Sequence, residues 1–229
     1  RCSVDDVIVV IPAYESESTV GDVVARVKDA LPSLRVLVVD DGSTDNTATA
    51  AERAGACVIR HNSNRGKGGA LLTGFGWVTK EDAAAAAITL DSDGQHDPVH
   101  LQAFIDCWSQ HRPDIIVGAR DRSGSAMPFA RRCSNWLSSK MVSRLAGTHV
   151  ADSQSGYRLY HRRVWETLDI SATGYELESE ILVAAGRKKM SIVELPISTI
   201  YGDEESRFDG WKDTSRISSL FWRQFRHWI

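Results

Sequence analysis

The sequence predicts an α/β protein with a mostly parallel central sheet flanked by helices. Short runs of apolar, mostly β-branched residues alternate with longer segments whose apolar residues recur at helical spacing. The first runs end in turn-forming residues, as VIVVI does at Pro12 and VLVV does at Asp40-Asp41-Gly42-Ser43. Strands and helices that alternate in this way form βαβ units, in which ligands gather beyond the carboxyl ends of the strands.

The first half of the chain is predicted to alternate four strands with three helices. The segment after the first strand places Val20, Val23 and Val27 on one face at helical spacing. An Ala-rich segment follows the second strand, and the loop NSNRGKGGA follows the third. In chain order, the predicted elements are strand 7–11, helix 18–31, strand 36–39, helix 44–54, strand 57–61, a helix that ends at 77, and strand 83–90.

The second half is predicted to be less regular, and it contains no repeat, low-complexity tract or linker. Its predicted elements are helix 98–110, strand 114–120, helix 129–145, the motif QSGYRLY, helix 175–188 and strand 191–199. We therefore predict one domain over residues 1–210, followed by a basic, aromatic tail at 211–229.

The composition excludes several classes of protein. Hydrophobic residues make up 42% and charged residues 25% of the 229 residues, which is typical of a globular domain. A net charge of −3 argues against a protein that coats nucleic acid through a general basic field. The four cysteines form no CxxC pair, so neither a zinc site nor a redox dithiol is indicated. No apolar run approaches the roughly 18 residues of a membrane-spanning helix.

A pair of carboxylates follows the fourth predicted strand, in the run LDSDGQHDP. Asp91 and Asp93 are two residues apart, so an extended backbone points both side chains to the same side. Carboxylate oxygens are hard ligands that suit Mg²⁺ or Mn²⁺, and such a cation can bridge two phosphates. An Asp-x-Asp pair alone is more often a solvated turn, so its interpretation as a metal site depends on what the neighbouring strand ends carry.

The two preceding strand ends in the predicted sheet supply groups that suit a nucleotide. Asp40 and Asp41 can accept hydrogen bonds from a nucleobase N–H or from ribose hydroxyls, although they can also simply form a turn. Pro12, Tyr14 and Glu15 supply a rigid bend, an aromatic ring and another acceptor. Because parallel strands end along one edge of the sheet, the pattern predicts a nucleotide site there.

Six motifs in a fixed order resemble those of family 2 glycosyltransferases with a GT-A fold, and most of all the polyprenyl- or dolichyl-phosphate sugar synthases. They are VIPAYESESTV, VVDDGSTDNT, NRGKGGALLTGF, LDSDGQHDP, VGAR and DSQSGYRLY. The resemblance runs from Val7 to Phe208, and the ordered set is far more specific than any one motif. It implies a Rossmann-like nucleotide-binding half and metal-dependent, inverting transfer of a sugar from a UDP- or GDP-sugar.

The resemblance also assigns residues to parts of the site. The residues implied to line the nucleoside pocket are Pro12, Tyr14, Glu15, Val39 and Asp41. Those implied to surround the metal and the diphosphate are Asp91, Asp93 and Gln95, with close backbone approach at Ser92 and Gly94. Contacts to phosphate groups are implied for Arg120, Arg131 or Arg132, and Arg207. Acidic positions that face the sugar or the acceptor are Asp152 and Glu180, and the implied catalytic residues are Asp93 and Asp152.

The chemistry of the acceptor determines whether a catalytic base is needed. A phosphomonoester has a second pKa of about 6, so it is mostly dianionic at neutral pH and already nucleophilic. Positioning, metal and arginines would then suffice, whereas a sugar hydroxyl would need a base, with Asp152 as the candidate. The resemblance favours a polyprenyl phosphate, met at the cytoplasmic face of a membrane.

The tail from Arg207 to Ile229 is basic and rich in tryptophan. A helix over 214–228 would place Ile217 and Phe221 on an aromatic and apolar stripe, with arginines on another. Such a helix suits peripheral contact with a membrane, and it suits equally well packing on the domain or on a second chain. The oligomeric state is left open.

The sequence lacks the motifs of three other classes of nucleotide-binding protein. GKGGALLTG does not have the G-x-G-x-x-G spacing of a dinucleotide-binding turn, and Gly66-Lys67 is followed by Gly68, where a P-loop needs Ser or Thr. The first strand ends in PAYESES, where a sugar nucleotidyltransferase would be expected to have a Gly-rich, Arg-containing loop. A non-catalytic nucleotide-sugar sensor stays open at this point, because it would keep the pocket and need no acceptor.

Overall fold

The computed structural model describes residues 6–81, 84–120 and 129–198, and in the last stretch it describes side chains from residue 133 onward. The strands in these residues are β1 (Val7–Ala13), β2 (Arg35–Asp40), β3 (Cys57–Arg60), β4 (Ala86–Thr89), β5 (Ile115–Arg120), β6 (Arg158–His161) and β7 (Ile192–Ile197). The α-helices are α1 (Val20–Ala30), α2 (Thr47–Arg53), α3 (Gly66–Lys80), α4 (Leu101–His111), α5 (Phe129–Ala146), α6 (Arg162–Thr167) and α7 (Leu177–Arg187).

The seven strands form one sheet in the order β3-β2-β1-β4-β6-β5-β7. β1 pairs in parallel with β2 and β4, β2 pairs in parallel with β3, and β5 pairs in parallel with β7. β6 is antiparallel to both of its neighbours. The carboxyl ends of the other strands therefore lie along one edge, where α/β sheets bind ligands. The predicted fold class, a mostly parallel sheet flanked by helices, is confirmed.

Helices cover both faces of the sheet, so its central strands are buried on both sides. Along β1, Val9 and Ile11 pack on the side of α1 and α4. Ile8 and Val10 pack on the side of α3 and α7. Strands buried on both faces are continuous apolar runs rather than alternating ones, which is why VIVVI predicts a strand from the sequence. Gly74 of α3 allows close packing, because a Cβ there would lie 2.4 Å from Cγ1 of Val10.

Two predicted helices begin differently from the expectation. The helix predicted over 44–54 begins at Thr47, because the Glu15 carboxylate accepts the Thr44 N–H and holds that residue in the preceding loop. The helix predicted over 98–110 begins with a 3₁₀ turn, Pro98–His100, whose first turn is capped by the Asp97 carboxylate. Local side-chain acceptors of this kind compete with helix formation and move its start.

β6 and α6 have no counterpart among the predicted elements. β6 has four residues, RLYH, which is too short to show a period. α6 begins directly after it, and the His161 side chain accepts the Arg163 N–H at its start. The antiparallel strand separates β4 from β5, so it widens the ligand edge between them.

Several predicted features lie outside the described residues. They are Arg207, the domain boundary at 210, the tail at 211–229, and the side chains of Arg131 and Arg132. The backbone of these last two residues belongs to α5. Across the described ranges, no helix combines the length and the apolar character that a membrane crossing requires.

A buried carboxylate before β5 links two neighbouring parts of the fold. Asp114 accepts hydrogen bonds from the Arg163 guanidinium and from both the N–H and the hydroxyl of Ser191. Its side chain is 1% exposed. Burial alone would raise the pKa of Asp114, but these donors outweigh burial and hold the pKa below its ordinary value. The ionised carboxylate therefore stabilises the folded state.

We expect Asp114→Asn to lower the free energy of unfolding by about 2–3 kcal/mol at pH 7. The asparagine cannot form the ion pair, and its NH₂ group would face the N–H and O–H groups that now donate to the carboxylate. Since the folded pKa of Asp114 is depressed, its contribution is complete above the unfolded value of about 4 and is lost as the pH falls through the folded value. Urea unfolding at pH 7 and pH 3 should show a smaller difference between the two proteins at pH 3. An equal difference at both pH values would contradict this account.

Candidate active site

Loops that follow β1, β2 and β4 meet at the carboxyl edge of the sheet, as the sequence predicts. The Ser16 hydroxyl lies 3.0 Å from the hydroxyl of Ser92, which follows β4. The Glu15 N–H donates to Ser43 Oγ, after β2, at 2.9 Å. These contacts bring the three predicted strand-end clusters into one site.

The predicted nucleoside-pocket residues near β1 occupy two kinds of position. Pro12 and Val39 are register partners in β1 and β2, and both are buried. Tyr14 is exposed, so its ring is accessible to a ligand. Glu15 has a φ of 48°, and its carboxylate accepts the Thr44 N–H at 2.7 Å, so it holds the loop after β2. The structure places these residues together, and their contact with a nucleoside stays a prediction.

Asp41, the fifth of these residues, is buried and held by neighbours that the sequence did not reveal. Its Oδ1 lies 2.7 Å from Nδ1 of His61 and accepts the Arg65 N–H at 2.9 Å. Nε2 of His61 lies 2.9 Å from the Thr73 hydroxyl. This chain of contacts fixes the orientation of the carboxylate at the edge of the sheet.

A largely buried lysine lies between two carboxylates at the same edge. Lys67 Nζ lies 2.6 Å from Oδ1 of Asp91 and 2.9 Å from Oε2 of Glu178, and the lysine side chain is 14% exposed. Burial alone would lower the pKa of Lys67, but attraction by Asp91 and then by Glu178 raises it above its ordinary value. Lys67 is thus a fixed positive charge. Neither Lys67 nor Glu178 is predicted from the sequence, because they lie 111 residues apart.

Glycines on either side of Lys67 make this arrangement possible. A Cβ on Gly66 or on Gly68 would lie 2.7 Å from a backbone atom of Thr173. Gly66 also has a φ of 83°, which side chains rarely allow. The start of α3 therefore packs directly on the loop before α7, and this packing brings Glu178 to Lys67.

Asp91 is held from both sides. Nζ of Lys67 lies 2.6 Å from Oδ1, and Nε2 of the buried His96 lies 3.1 Å from Oδ2. Burial alone would raise the pKa of Asp91, but Lys67 and then His96 outweigh burial and hold the pKa below its usual range. Asp91 is therefore ionised across the physiological pH range.

Asp93 has the opposite electrostatic environment. Its Oδ1 accepts the Gln95 N–H at 3.0 Å. Loss of solvent around the carboxyl group, followed by repulsion from Asp91, raises the pKa of Asp93. Two carboxylates that repel each other are stabilised by a divalent cation between them.

The oxygen donors at this edge fit Mg²⁺ or Mn²⁺. Asp91, Asp93 and the side chain of Gln95 offer hard oxygen ligands on one short segment. In the part of the chain that the structure describes, no three His, Cys, Asp or Glu side chains gather into a metal-binding group. In proteins, Mg²⁺ commonly takes one or two carboxylate ligands and completes its coordination with substrate phosphates and water.

Gly156, two residues before β6, leaves the space that the Asp91 carboxylate occupies. A Cβ on residue 156 would lie 2.5 Å from Oδ2 of Asp91 and 2.7 Å from its Oδ1. We expect Gly156→Ala to displace this carboxylate and to lower kcat/KM on the order of 100-fold, since small displacements at a reacting centre have large effects on rate.

Gly76→Ala is the matched control for this substitution. Gly76 lies in α3, and a Cβ there would meet no atom within 4 Å. The control should keep full activity and gain up to about 1 kcal/mol of stability, because alanine is the better helix former. Full activity of Gly156→Ala in initial-rate assays would show that the position of Asp91 is unimportant for transfer.

Asp152 and Arg120 form a second buried pair, and both are predicted site residues. Nε of Arg120 donates to Oδ2 of Asp152 at 2.6 Å, and Nη2 donates to Oδ1 at 2.9 Å. The Gln154 N–H also donates to Oδ1, at 3.2 Å. The Asp152 side chain is 1% exposed. A bidentate pair of this kind holds the guanidinium in one orientation.

Arg158, which lies in the motif DSQSGYRLY but is not among the predicted site residues, connects this pair with the lysine cluster. It is fully buried, and it donates to the backbone oxygens of Ser153 and Ser155, each at 2.7 Å. It also donates to the backbone oxygen of Glu178 at 2.7 Å. The segment that carries Asp152 is therefore fixed to the start of α7.

Glu180, predicted to face the sugar or the acceptor, supports a loop in this structure. Its carboxylate accepts hydrogen bonds from the Ser171 N–H, the Ser171 hydroxyl and the Ala172 N–H. The acidic side chain of α7 that reaches Lys67 is Glu178. Contact between Glu180 and a substrate stays a prediction, as do the roles of Arg131, Arg132 and Arg207.

Comparison with known proteins identifies the family. The sequence matches the model described as Glycosyl transferase family 2 over residues 8–169, which is more than half of the chain. The chain belongs to glycosyl transferase family 2. The resemblance seen in the six motifs is thereby confirmed, and so is the predicted enzyme class, a glycosyltransferase.

Two of the proteins that are similar to this chain have names that refer to a lipid phosphate. The UDP-N-acetylglucosamine–dolichyl-phosphate N-acetylglucosaminyltransferase of Methanococcus voltae is 31% identical over 217 residues, which cover 85% of this chain and 86% of that protein. The polyprenol monophosphomannose synthase of Mycolicibacterium smegmatis is 30% identical over 203 residues, which cover 83% of this chain and 76% of that protein.

A solved structure confirms the fold. The crystal structure of M. tuberculosis glucosyl-3-phosphoglycerate synthase superposes with a TM-score of 0.74 at 18% identity, and it covers 95% of this chain and 79% of that chain. At this identity the likeness concerns the fold alone, which is the GT-A fold of family 2 glycosyltransferases.

Proposed function

We propose that this glycosyltransferase moves a sugar from a UDP- or GDP-sugar to a polyprenyl phosphate, with inversion at the anomeric carbon and with Mg²⁺ or Mn²⁺. The observation that carries the proposal is the charge pattern at the carboxyl edge of the sheet. There, the Asp91 carboxylate lies 2.6 Å from the largely buried ammonium of Lys67, and Asp93 follows two residues further on. We place the reaction at the cytoplasmic face of a membrane, where a lipid-linked acceptor would be met.

The named relatives support the acceptor and donor classes. Besides the two enzymes above, an undecaprenyl-phosphate mannosyltransferase of Micrococcus luteus is 29% identical over 216 residues. Solved structures of the mycobacterial synthase contain UDP with Mn²⁺ or with Mg²⁺. Those descriptions apply to those proteins. The same nucleotide, metal and lipid-phosphate acceptor classes are therefore the first to test with this chain.

Asp91, Asp93 and Gln95 would hold the metal. When bound, the ion supplies positive charge to the diphosphate that departs from the sugar. Lys67 already holds one oxygen of Asp91 at 2.6 Å, so it keeps this carboxylate in place before the donor arrives. The exposed ring of Tyr14 and the buried carboxylate of Asp41 are the groups we assign to the nucleoside.

The acceptor phosphate needs no strong base, because its dianion is nucleophilic at neutral pH. The task of the protein is then to orient two anions that repel each other, which requires fixed positive charges. Arg120 is such a charge, and Asp152 holds its guanidinium through two hydrogen bonds. The pairing supports a positioning role for Asp152 rather than a role as general base.

Asp152→Asn tests this assignment. With a polyprenyl phosphate acceptor, we expect kcat/KM to fall about tenfold to 100-fold, because the amide keeps one acceptor for Arg120 and loses the charge of the pair. The pH dependence of kcat/KM should keep its shape, since no titrating base is removed. A loss of transfer far beyond 100-fold, together with loss of the acidic limb in the pH profile of the residual activity, would identify Asp152 as the base and would favour a sugar hydroxyl as the acceptor.

The donor and the acceptor are best identified with one panel of reactions. UDP- and GDP-sugars are incubated with a polyprenyl phosphate or with a free sugar, and the glycolipid or disaccharide is isolated. We expect one donor class to yield a glycosyl phosphate lipid of inverted anomeric configuration. Formation of disaccharide alone would contradict the lipid acceptor, and a retained configuration would contradict direct displacement.

The tail at 211–229 lies outside the described residues, and its role at a membrane interface stays a proposal. Flotation of the protein on liposomes, with and without this segment, measures its contribution. Unchanged flotation after its removal would assign the tail to packing on the domain or on a second chain.

A further inference from the structure

Between residues 135 and 139, helix α5 has its polar and apolar side chains on the opposite sides from those of a typical surface helix, whereas Val142 and Ala146 further along are buried in the usual way. Its inner face buries Asn135, Ser138 and Ser139. Its outer face exposes Trp136 and Leu137, which are 56% and 50% exposed. Within the described ranges, they are the only two consecutive large apolar side chains that are exposed. Helices on soluble domains normally bury the apolar side and expose the polar one.

The polar residues of the inner face support the segment that carries Asp152. Ser139 Oγ accepts the Ser153 N–H at 3.1 Å, and the Gln154 side chain donates to Ser138 Oγ at 2.9 Å. These contacts account for the serines. They give no reason for a tryptophan and a leucine on the other side, so the outer face needs a separate explanation.

The outer face also carries two basic side chains. Nζ of Lys140 lies 4.7 Å from the centre of the Trp136 ring, and Arg144 is exposed one turn further along. The sequence of α5, FARRCSNWLSSKMVSRLA, contains four basic residues and no acidic residue, in a chain whose net charge is −3. The charges of the chain are therefore segregated, and this helix carries a positive excess.

We propose that the outer face of α5, formed by Cys133, Trp136, Leu137, Lys140 and Arg144, docks on an anionic lipid bilayer. A tryptophan and a leucine flanked by basic side chains match the headgroup region of such a bilayer. A second copy of the chain fits less well, because a two-fold contact would place this basic face against itself.

The inference rests on the proposed function, because a lipid-borne acceptor is what makes such a surface useful. Ser153 and Gln154, which directly follow Asp152, hydrogen-bond to serines on the inner face of α5. A helix is about 10–12 Å across, so docking of the outer face would bring the Arg120–Asp152 pair within about one helix diameter of the headgroups. A phosphate on a membrane lipid would then need to move only about this distance to reach the pair, while its lipid chain stays in the bilayer.

Cys133 allows a direct test on the full chain. It is exposed on the outer face of α5, whereas Cys57 is exposed on β3, at the far edge of the sheet. Two single-cysteine proteins, which keep Cys133 or Cys57 and carry Ser at the other cysteine positions, are labelled with a polarity-sensitive fluorophore. They are then mixed with vesicles of phosphatidylglycerol or of phosphatidylcholine, without donor or acceptor.

We expect a blue shift of the Cys133 label on phosphatidylglycerol vesicles, and no shift of the Cys57 label. No shift at Cys133 would overturn the proposal, as would an equal shift on neutral vesicles. A shift that appears without vesicles and grows with protein concentration would also overturn it, because that result identifies a contact between copies of the chain.

Substitutions on the outer face separate this inference from the proposed function. Trp136→Ser combined with Leu137→Ser should lower the vesicle-bound fraction about tenfold, and Lys140→Glu should do the same on anionic vesicles. Val99→Ser and Arg53→Glu replace an exposed apolar and an exposed basic residue elsewhere, and they should bind as the wild type does.

The activity of the Trp136→Ser/Leu137→Ser variant distinguishes a failure of the docking surface from a failure of the proposed function. It should be unchanged with a short, water-soluble polyprenyl phosphate and reduced with the same headgroup on a long chain in vesicles. Wild-type binding of the variant to vesicles would overturn the docking surface and leave the proposed function intact. Failure of the wild type to use any polyprenyl phosphate would overturn the proposed function, whatever the vesicle result.

Discussion

Asp91→Asn and Asp93→Asn are each expected to abolish sugar transfer while leaving the protein folded. Each variant loses one of the two anionic ligands that we assign to the divalent ion, so the departing diphosphate would lose its stabilising charge. We expect kcat to fall on the order of 1000-fold or more. The fold should persist, because an asparagine at position 91 still accepts a hydrogen bond from Lys67, which also keeps Glu178 as a partner.

Asp106→Asn is the matched control for these variants, since Asp106 is an exposed aspartate of α4 that bonds to Gln102 on the same helix. It should keep full activity. Initial rates and thermal unfolding are measured for all three variants. Full turnover by Asp93→Asn in excess EDTA would refute the metal assignment.

Lys67→Met is expected to damage both stability and catalysis. Asp91 and Glu178 would face each other without the ammonium that lies 2.6 Å and 2.9 Å from them. Removal of one partner from a buried ion pair leaves uncompensated charge and typically costs about 3–5 kcal/mol. Transfer should also fall sharply, because Asp91 loses the contact that fixes its carboxylate.

A double-mutant cycle checks the cause of the Lys67→Met effect. Glu178→Gln alone should have the smaller effect, since Lys67 retains Asp91. The double variant Lys67→Met/Glu178→Gln should recover part of the lost free energy of unfolding, because it removes one of the two stranded charges. Additive effects in urea unfolding would contradict a direct interaction between the two residues.

The strand ends could be predicted from the sequence because each follows a recognisable buried strand. VIVVI and VLVV are buried on both faces, so they are apolar runs, and the polar groups after them must lie at one edge of a parallel sheet. Tyr14, Asp41 and Asp91 therefore take predictable positions. Family resemblance was still needed to connect Arg120 and Asp152 with the same site.

The partners of these residues could not be predicted, because they depend on contacts between distant segments. Lys67 and Glu178 are 111 residues apart, and their meeting depends on the packing of the glycine-rich start of α3 on the loop before α7. The antiparallel strand β6 has only four residues and no distinctive pattern. The helix predicted over 129–145 is present as α5, but its period does not show that serines are inside and a tryptophan is outside.

The most direct measurement is the release of nucleoside diphosphate by the wild-type protein. Each donor is assayed with and without a polyprenyl phosphate, and with Mg²⁺, with Mn²⁺ or with excess EDTA. We expect rapid release only when the lipid phosphate and a divalent metal are both present, together with an equal amount of glycosyl phosphate lipid. Release at the same rate in EDTA, or with no dependence on the lipid phosphate, would contradict the proposal that Asp91 and Asp93 serve a metal-assisted transfer to that acceptor.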